Sequence, residues 1–325
     1  MISKALSIIT ILSGVMAVAG ELSASEQFPT KPVRIIVPYT SGGGTDAIAR
    51  PLAQQLSEKW GQPVVIENRP GAGTAIGAET VARAAPDGYT LLISDATTYA
   101  INPHVYKKLA YDPLKDFSPV AIVCRYTPVV AVHPDVPAKT FPEFVEWIKK
   151  QPGKQSYGSF GNGTYAHVAI EDLKRSAGMD MVHVPYRGGA PVVTDLLAGQ
   201  IVFTMATITN FLQHHNSGKL RILAAATESR PKLMPQLPTI NETVKDYSVN
   251  VFVAVAAPAG TPSAIVKKIS SDIAAIVGDS GYREKFLDKQ FFEPVGSTPE
   301  EFAAVLKRDN GHWRDVVQRT GVKID

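Results

Sequence analysis

Cysteine is almost missing from this sequence. Cys124 stands alone in the apolar run "VAIVCRY", so no intramolecular disulfide can form and the thiol reads as a buried packing group. Stability must come from a well-packed core. Basic runs are missing too: a formal net charge of +3 is nearly neutral and argues against a nucleic-acid partner. Metal-ligand spacing is absent. His214 and His215 are adjacent and cannot both face one ion from a regular element, and no histidine–carboxylate cluster fits, so no metal or other cofactor is expected. Long apolar runs are confined to one, Ala5 to Gly20, placed between Lys4 and the small residues of "ELSASEQF". That order is a secretory signal peptide over residues 1–25, cleaved after Ala24 or Ser25. It is too short for a comfortable membrane anchor, which needs about 20 apolar residues. The expectation is an exported, soluble chain of about 300 residues, enough for one large domain or two ordinary ones.

What is present is an alternation of strand-like and helix-like segments, the mark of an α/β fold with mostly parallel sheets flanked by helices. "VRIIV", "VVIE" and "YTLLIS" read as strands. Ile48, Leu52 and Leu56 recur at helical spacing between the first two. Thr140 with Glu143, and Thr298 with Glu301, form capping boxes for the helices "PEFVEWIKK" and "PEEFAAVLKRDNGHWRDVV". Extended segments around Thr127–His133 and Asn250–Ala257 read as two crossings between lobes. The expected division is residues 26–126 plus 253–325 for one lobe and 127–252 for the other.

Two segments share one layout. "VRIIVPYTSGGGTDAIARPLAQQL" and "QSYGSFGNGTYAHVAIEDLKRSAG" both run strand, glycine-and-hydroxyl loop, helix. A helix N-terminus carries unpaired N–H groups and partial positive charge, and glycines let a ligand reach the backbone. Ligands of open α/β sheets sit at the carboxyl ends of strands. The loop candidates are therefore Tyr39, Thr40, Ser41, Gly42, Gly43 and Gly44 on one side. On the other they are Ser159, Phe160, Gly161, Asn162, Gly163 and Thr164. Thr45 adds a further hydroxyl. Asp46 either caps its own loop or meets an amino group on a zwitterion. Arg187 is either a cation for the site or a solvated turn arginine. Tyr39, Tyr99, Phe160, Tyr165 and Tyr186 are candidates to wall a cleft, and the strand "QIVFTMA" adds Thr204 and Ala206.

Catalytic patterns are incomplete. "SGGGTDA" has no phosphate-loop lysine, and in "GAGTAIG" the third glycine of a dinucleotide fingerprint is displaced by one residue. "YGSFG" lacks the first glycine of a nucleophile elbow. A serine hydrolase using Ser159 and His167 stays open as a minor reading, against one in which His167 supports its loop by hydrogen bonding.

The segments "FPTKPVRIIVPYTSGGGTDAIAR", "GQPVVIENRPGAGTAIGAETVARAAPDGYTLL", "NPHVYKKLAYDPLKDFSPV", "HVPYRGGAPVVTDLLAGQIV", "GKLRILAAAT" and "VAAPAGTP", with the second glycine loop, resemble in order the tripartite tricarboxylate transporter receptors, the Bug-type periplasmic solute-binding proteins. The resemblance implies a two-lobed, clam-shell periplasmic binding fold (type II-like), a periplasmic location, and a monomer that is not an enzyme. It implies a small organic carboxylate as ligand: a di- or tricarboxylate, an aromatic acid or an amino acid. It implies membrane permease subunits as partners, with ligand sensing for a membrane signalling partner as the alternative. The family's first loop usually reads Pro-Phe-x-x-Gly-Gly; here Pro38 is followed by Tyr39, Thr40, Ser41, Gly42 and Gly43. The second loop matches Ser159 to His167, with Thr164 where serine is usual. A further contact region lies at Ala96 to Tyr99, including Thr97 and Thr98, where ligand choice is expected to be written.

Overall fold

The computed structural model describes residues 28–324; the leader reading on residues 1–25 lies outside them. Among the described residues no helix is long and apolar enough to cross a membrane. The chain builds two separate sheets. The first contains β1 (Val33–Val37), β2 (Val64–Asn68), β3 (Thr90–Asp95), β4 (Phe117–Arg125), β10 (Phe252–Pro258) and β11 (Glu293–Pro294), in the order β11-β4-β10-β3-β1-β2. The second contains β5 (Pro128–Val132), β6 (Ser156–Ser159), β7 (Val182–Pro185), β8 (Phe203–Thr207) and β9 (Arg221–Ala225), in the order β7-β6-β8-β5-β9.

The sheets are mixed, where the sequence reading expects mostly parallel pairing. β1 runs parallel to β2 and β3, and β6 parallel to β7 and β8. β10 is antiparallel to β3 and β4, and β5 to β8 and β9. The difference has a topological cause. Strands joined through a crossover helix return in parallel. β5 and β10 enter their sheets from the other one with no such helix. All residues of both strands are buried. The two passages lie side by side: Tyr126 N–H, between β4 and β5, donates to Val251 O, just before β10, at 2.8 Å.

Helices cover the sheets: α1 (Gly44–Trp60), α2 (Ala75–Ala82), α3 (Phe141–Lys149), α4 (Tyr165–Ala177), α5 (Gly189–Leu197), α6 (Ser263–Gly278) and α7 (Pro299–Thr320). The Ile48, Leu52 and Leu56 face of α1 is fully buried, as its spacing requires. Cys124 is buried on β4, where burial pushes its thiol pKa up. α7 leaves the first sheet and reaches α4 beside the second. There Arg319 grips Asp172 with two bonds of 2.6 and 2.7 Å.

Candidate functional site

β1 delivers the chain to a loop at its carboxyl end, and α1 starts from that loop with Gly43 as N-cap. Gly43 is extended (φ −80°, ψ 174°) and supplies no side-chain cap. The first intrahelical bond is Ala47 N–H to Gly43 O, 3.0 Å. The N–H groups of Gly44, Thr45 and Asp46 precede it and have no acceptor within the helix. The Asp46 side chain turns back on its own loop. It accepts from Gly42 N–H at 3.0 Å, from Arg50 at 2.8 and 3.0 Å, and from Asn68 at 3.0 Å. Burial pushes its pKa up, but these bonds outweigh burial and hold it below the usual carboxylate range. Of its two readings, the geometry matches the loop cap.

α4 begins similarly. Its N-cap Thr164 does not cap the helix; its hydroxyl donates to Gly161 O at 2.8 Å. Tyr165 N–H instead donates to Thr97 Oγ1 at 3.1 Å, across to the loop that follows β3. A third start, α5, has Gly188 as N-cap and again no side-chain cap. Gly188 sits at φ +120°, and a Cβ there would stand 2.4 Å from Thr40 Oγ1. Only glycine lets these two loops meet so closely.

The three starts converge on one cavity of about 30 Å³ between the sheets, room for a few water-sized centres at most. Gly43, Gly44 and Thr45 line it from α1, Tyr165 from α4 and Gly189 from α5. Tyr39, Asp95, Tyr126, Phe160, Thr207 and Asn210 complete the wall. Among these described residues there is no lysine, arginine or histidine. Asp95 ends β3 and is buried. The Tyr39 hydroxyl donates to it, 2.9 and 2.8 Å from its two oxygens, and Thr97 N–H donates to Oδ1 at 2.9 Å. Burial raises its pKa against the pull of those bonds. Thr45 and Tyr126 hydroxyls are 2.9 Å apart. The buried hydroxyls of Thr40 and Thr207 have no partner among the described residues, the state of groups awaiting one.

Six of the residues singled out in the sequence line this cavity: Tyr39, Gly43, Gly44, Thr45, Phe160 and Tyr165. Thr97 stands behind it, its Oγ1 3.2 Å from the Tyr39 hydroxyl. The others lie elsewhere. Ser41, Gly42, Asn162 and Arg187 are exposed. Thr98 bonds Ser94 and Thr74 in the core. Thr204 donates to Gly158 O at 2.8 Å, and Ala206 is buried in the apolar cluster of the second sheet. Tyr186 donates to Asp195 at 2.7 Å. Gly163 packs against Val105 and Ile324, and Gly161 against the Tyr186 carbonyl. Tyr99, expected at a cleft wall, is 1% exposed, among Phe117, Phe252 and Phe302. Asp95, Tyr126, Gly189, Thr207 and Asn210 were not singled out. The usable signal for Asp95 was an acid closing an apolar strand, at the strand end where ligands sit.

The hydrolase pairing is not formed. Ser159 is fully buried, and its Oγ lies 2.6 Å from His183 Nε2, not from His167. His167 accepts from Gly163 N–H at 3.1 Å and stacks on His183 with centroids 3.9 Å apart. Burial holds both rings neutral, with pKa values lowered to about 4 for His167 and about 3 for His183. The cluster braces the second loop, the supporting role expected of His167.

Comparison with known proteins places this arrangement. The family model described as tripartite tricarboxylate transporter family receptor matches residues 48–322. The solved structure of a periplasmic transporter is 42% identical, with TM-score 0.88 over 92% of this chain and 100% of that one. The R. palustris protein Rpa4515, solved with adipate, is 33% identical, with TM-score 0.88 over 90% of this chain and 98% of its own. MatC of Rhodopseudomonas palustris, solved with bound malate, is 30% identical, with TM-score 0.84 over 89% and 100%. The periplasmic binding protein BugD is 32% identical, with TM-score 0.86 over 91% of this chain and 99% of its own. The chain belongs to the tripartite tricarboxylate transporter receptor family.

Proposed function

We propose that this protein is a periplasmic receptor that captures a small organic carboxylate in the cavity between its sheets and delivers it to a tripartite tricarboxylate-type permease. One observation carries the reading: three helix starts without side-chain caps meet at one small cavity between the sheets. The α1 and α5 starts supply converging N–H donors, and all three supply partial positive charge, the requirements of a carboxylate in a site with no cationic side chain among its described lining residues. The adipate and malate held by two relatives support the ligand class.

In this reading the lobes are residues 26–126 plus 253–325, and residues 127–252. They hinge at the paired passages near Tyr126 and Val251. Closure brings α1 against Thr207 and desolvates the anion, and the permease recognises the closed monomer. The protein leaves its ligand chemically unchanged: Ser159 is buried and tied to His183, away from the cavity wall.

The test is a thermal-shift screen of the leaderless protein, refolded to strip any retained ligand, against mono-, di- and tricarboxylates, aromatic acids and amino acids. Ligand at about 100 times Kd stabilises the fold by about 2.7 kcal/mol, so one class should raise the midpoint clearly. No shift with any acid contradicts the reading. Loss of uptake of that acid on deletion of the protein tests delivery; unchanged uptake rejects it.

A further inference from the structure

The cavity has a second chemical character that a purely anionic ligand leaves unused. Asp95 is the one charged side chain among the described residues lining it, and it is 1% exposed. A carboxylate offers about four acceptor positions. The contacts to Asp95 come from the Tyr39 hydroxyl and from the N–H and hydroxyl of Thr97, all of them neutral donors. Among the described residues no salt bridge reaches it, whereas buried Asp46 and Asp172 each hold an arginine. A buried carboxylate without a cation is expensive to keep, and such groups concentrate at functional sites. Four aromatic side chains, Tyr39, Tyr126, Phe160 and Tyr165, line the same small space. Phe160 and Tyr165 meet edge to face with centroids 5.5 Å apart. Aromatic rings around a carboxylate are a receptor for a positively charged nitrogen, drawn by the charge and by the ring quadrupoles together.

We propose that the ligand is a small zwitterion whose ammonium nitrogen seats against Asp95 among these aromatic rings while its carboxylate takes the helix-start N–H groups. The inference rests on the receptor reading and narrows its ligand class. The dicarboxylates held by relatives need a donor at each end. Here one end of the cavity meets a like charge, which disfavours a second anion. The ammonium supplies the cation that Asp95 lacks among the described residues, beside a carboxyl already oriented by Tyr39 and Thr97.

The experiment is titration calorimetry of the refolded, leaderless protein with probes matched in length: acetate, glycine and glycine betaine, then butanoate, 4-aminobutanoate and succinate, with malate and adipate alongside. The expected result is that the ammonium-bearing member of a set binds at least ten-fold tighter than its monocarboxylate and dicarboxylate counterparts. Asp95→Asn should weaken that binding at least ten-fold. Circular dichroism checks that the variant folds; if it does not, the matched probes on the wild-type protein decide the question alone. A dicarboxylate binding ten-fold tighter than its ammonium counterpart overturns the inference. So does wild-type affinity for the zwitterion in a folded Asp95→Asn variant. Either result leaves the carboxylate receptor intact. Failure of every carboxylate probe, malate and adipate included, overturns the receptor reading itself and this inference with it.

Discussion

The helix starts at the cavity and the helix starts on the outside are built differently. α3 begins at Thr140, whose hydroxyl accepts from Glu143 N–H while Glu143 reaches back to Thr140 N–H. α7 begins at Thr298 and Glu301 in the same way. Both are exposed, and their orphan N–H groups are satisfied within the chain. α1 and α5 begin at glycines, and α4 at a threonine whose hydroxyl is turned to Gly161. α6, with Pro262 as N-cap, also lacks a side-chain cap and does not line the cavity. A missing cap is therefore not the signature. The signature is three such starts facing one space: α1 and α5 give up local stability, a few tenths of a kcal/mol for glycine in place of a good N-cap, to keep donors open, while at α4 the Tyr165 N–H is taken by Thr97 from the opposite loop.

The sharpest way to break the contrast is to cap a cavity start. Gly43 has an ordinary extended backbone, and a Cβ there meets nothing closer than Thr40 O at 3.7 Å. Gly43→Asp should therefore fold with an unchanged or slightly raised melting midpoint. Its tethered carboxylate should occupy the N–H groups and weaken ligand binding about 100-fold or more, a trade between stability and function. Binding at wild-type strength, measured by calorimetry, would separate α1 from the site.

Next in size is a steric test. A Cβ on Gly44 would stand 2.9 Å from Thr207 Cγ2 and 3.3 Å from the Tyr126 hydroxyl. The backbone at this helical position accepts any residue, so the conflict is with the opposite wall. Gly44→Ala should lower affinity by roughly ten-fold, about 1.4 kcal/mol, with a small change in midpoint. A large loss of stability with intact affinity would contradict it.

The two loops should also differ in acid. His167 and His183, with pKa values lowered by burial to about 4 and about 3, are neutral when folded. An unfolded histidine titrates near about 6.5. As pH falls through that value the unfolded chain binds protons that the folded chain does not, so their contribution is present above about pH 6.5 and is lost down to about pH 4. Asp46 works in a lower window. Its folded pKa lies below the unfolded value of about 3.9, so its contribution is present at neutral pH and is lost only as pH falls below about 4. Denaturant melts from pH 8 to 3 should show two declines. Replacing both histidines by asparagine should reduce the upper one, which they share with His312, and Asp46→Asn should reduce the lower, which it shares with Glu67, Asp112 and Glu242. An unchanged upper decline would reject the account of the second loop.

The smallest effect belongs to the outside. Thr298→Ala should cost about 1 kcal/mol of stability and leave ligand affinity unchanged. A change in affinity would mean that α7 communicates with the cavity.

Much of this was legible in the sequence because it is local. The α1 face, both glycine loops and the Thr140 and Thr298 capping boxes are fixed by residues a few positions apart. The support given by His167 was legible for the same reason. The mixed sheets were not, because strand direction depends on whether a crossover helix intervenes, and β5 and β10 look like any buried apolar strand. Half of the cavity wall was hidden likewise. Tyr126 and Thr207 reach it only when the passage between sheets and the end of β8 fold back toward α1. Tyr99 misled in the opposite sense: its place beside a ligand-facing loop says nothing of the Phe117, Phe252 and Phe302 side chains that bury it.

The central claim is that the open N–H groups at the cavity receive the ligand. The direct measurement is amide NMR of the refolded protein, titrated to saturation with the strongest binder from the calorimetry probes. The account predicts large shifts and slowed exchange at Gly44, Thr45 and Gly189, with Glu143 and Glu301 unmoved. Unchanged amides at Gly44 and Thr45 under saturation would contradict it. So would a response centred on the separate cavity of about 530 Å³ beside Phe141 and Leu237.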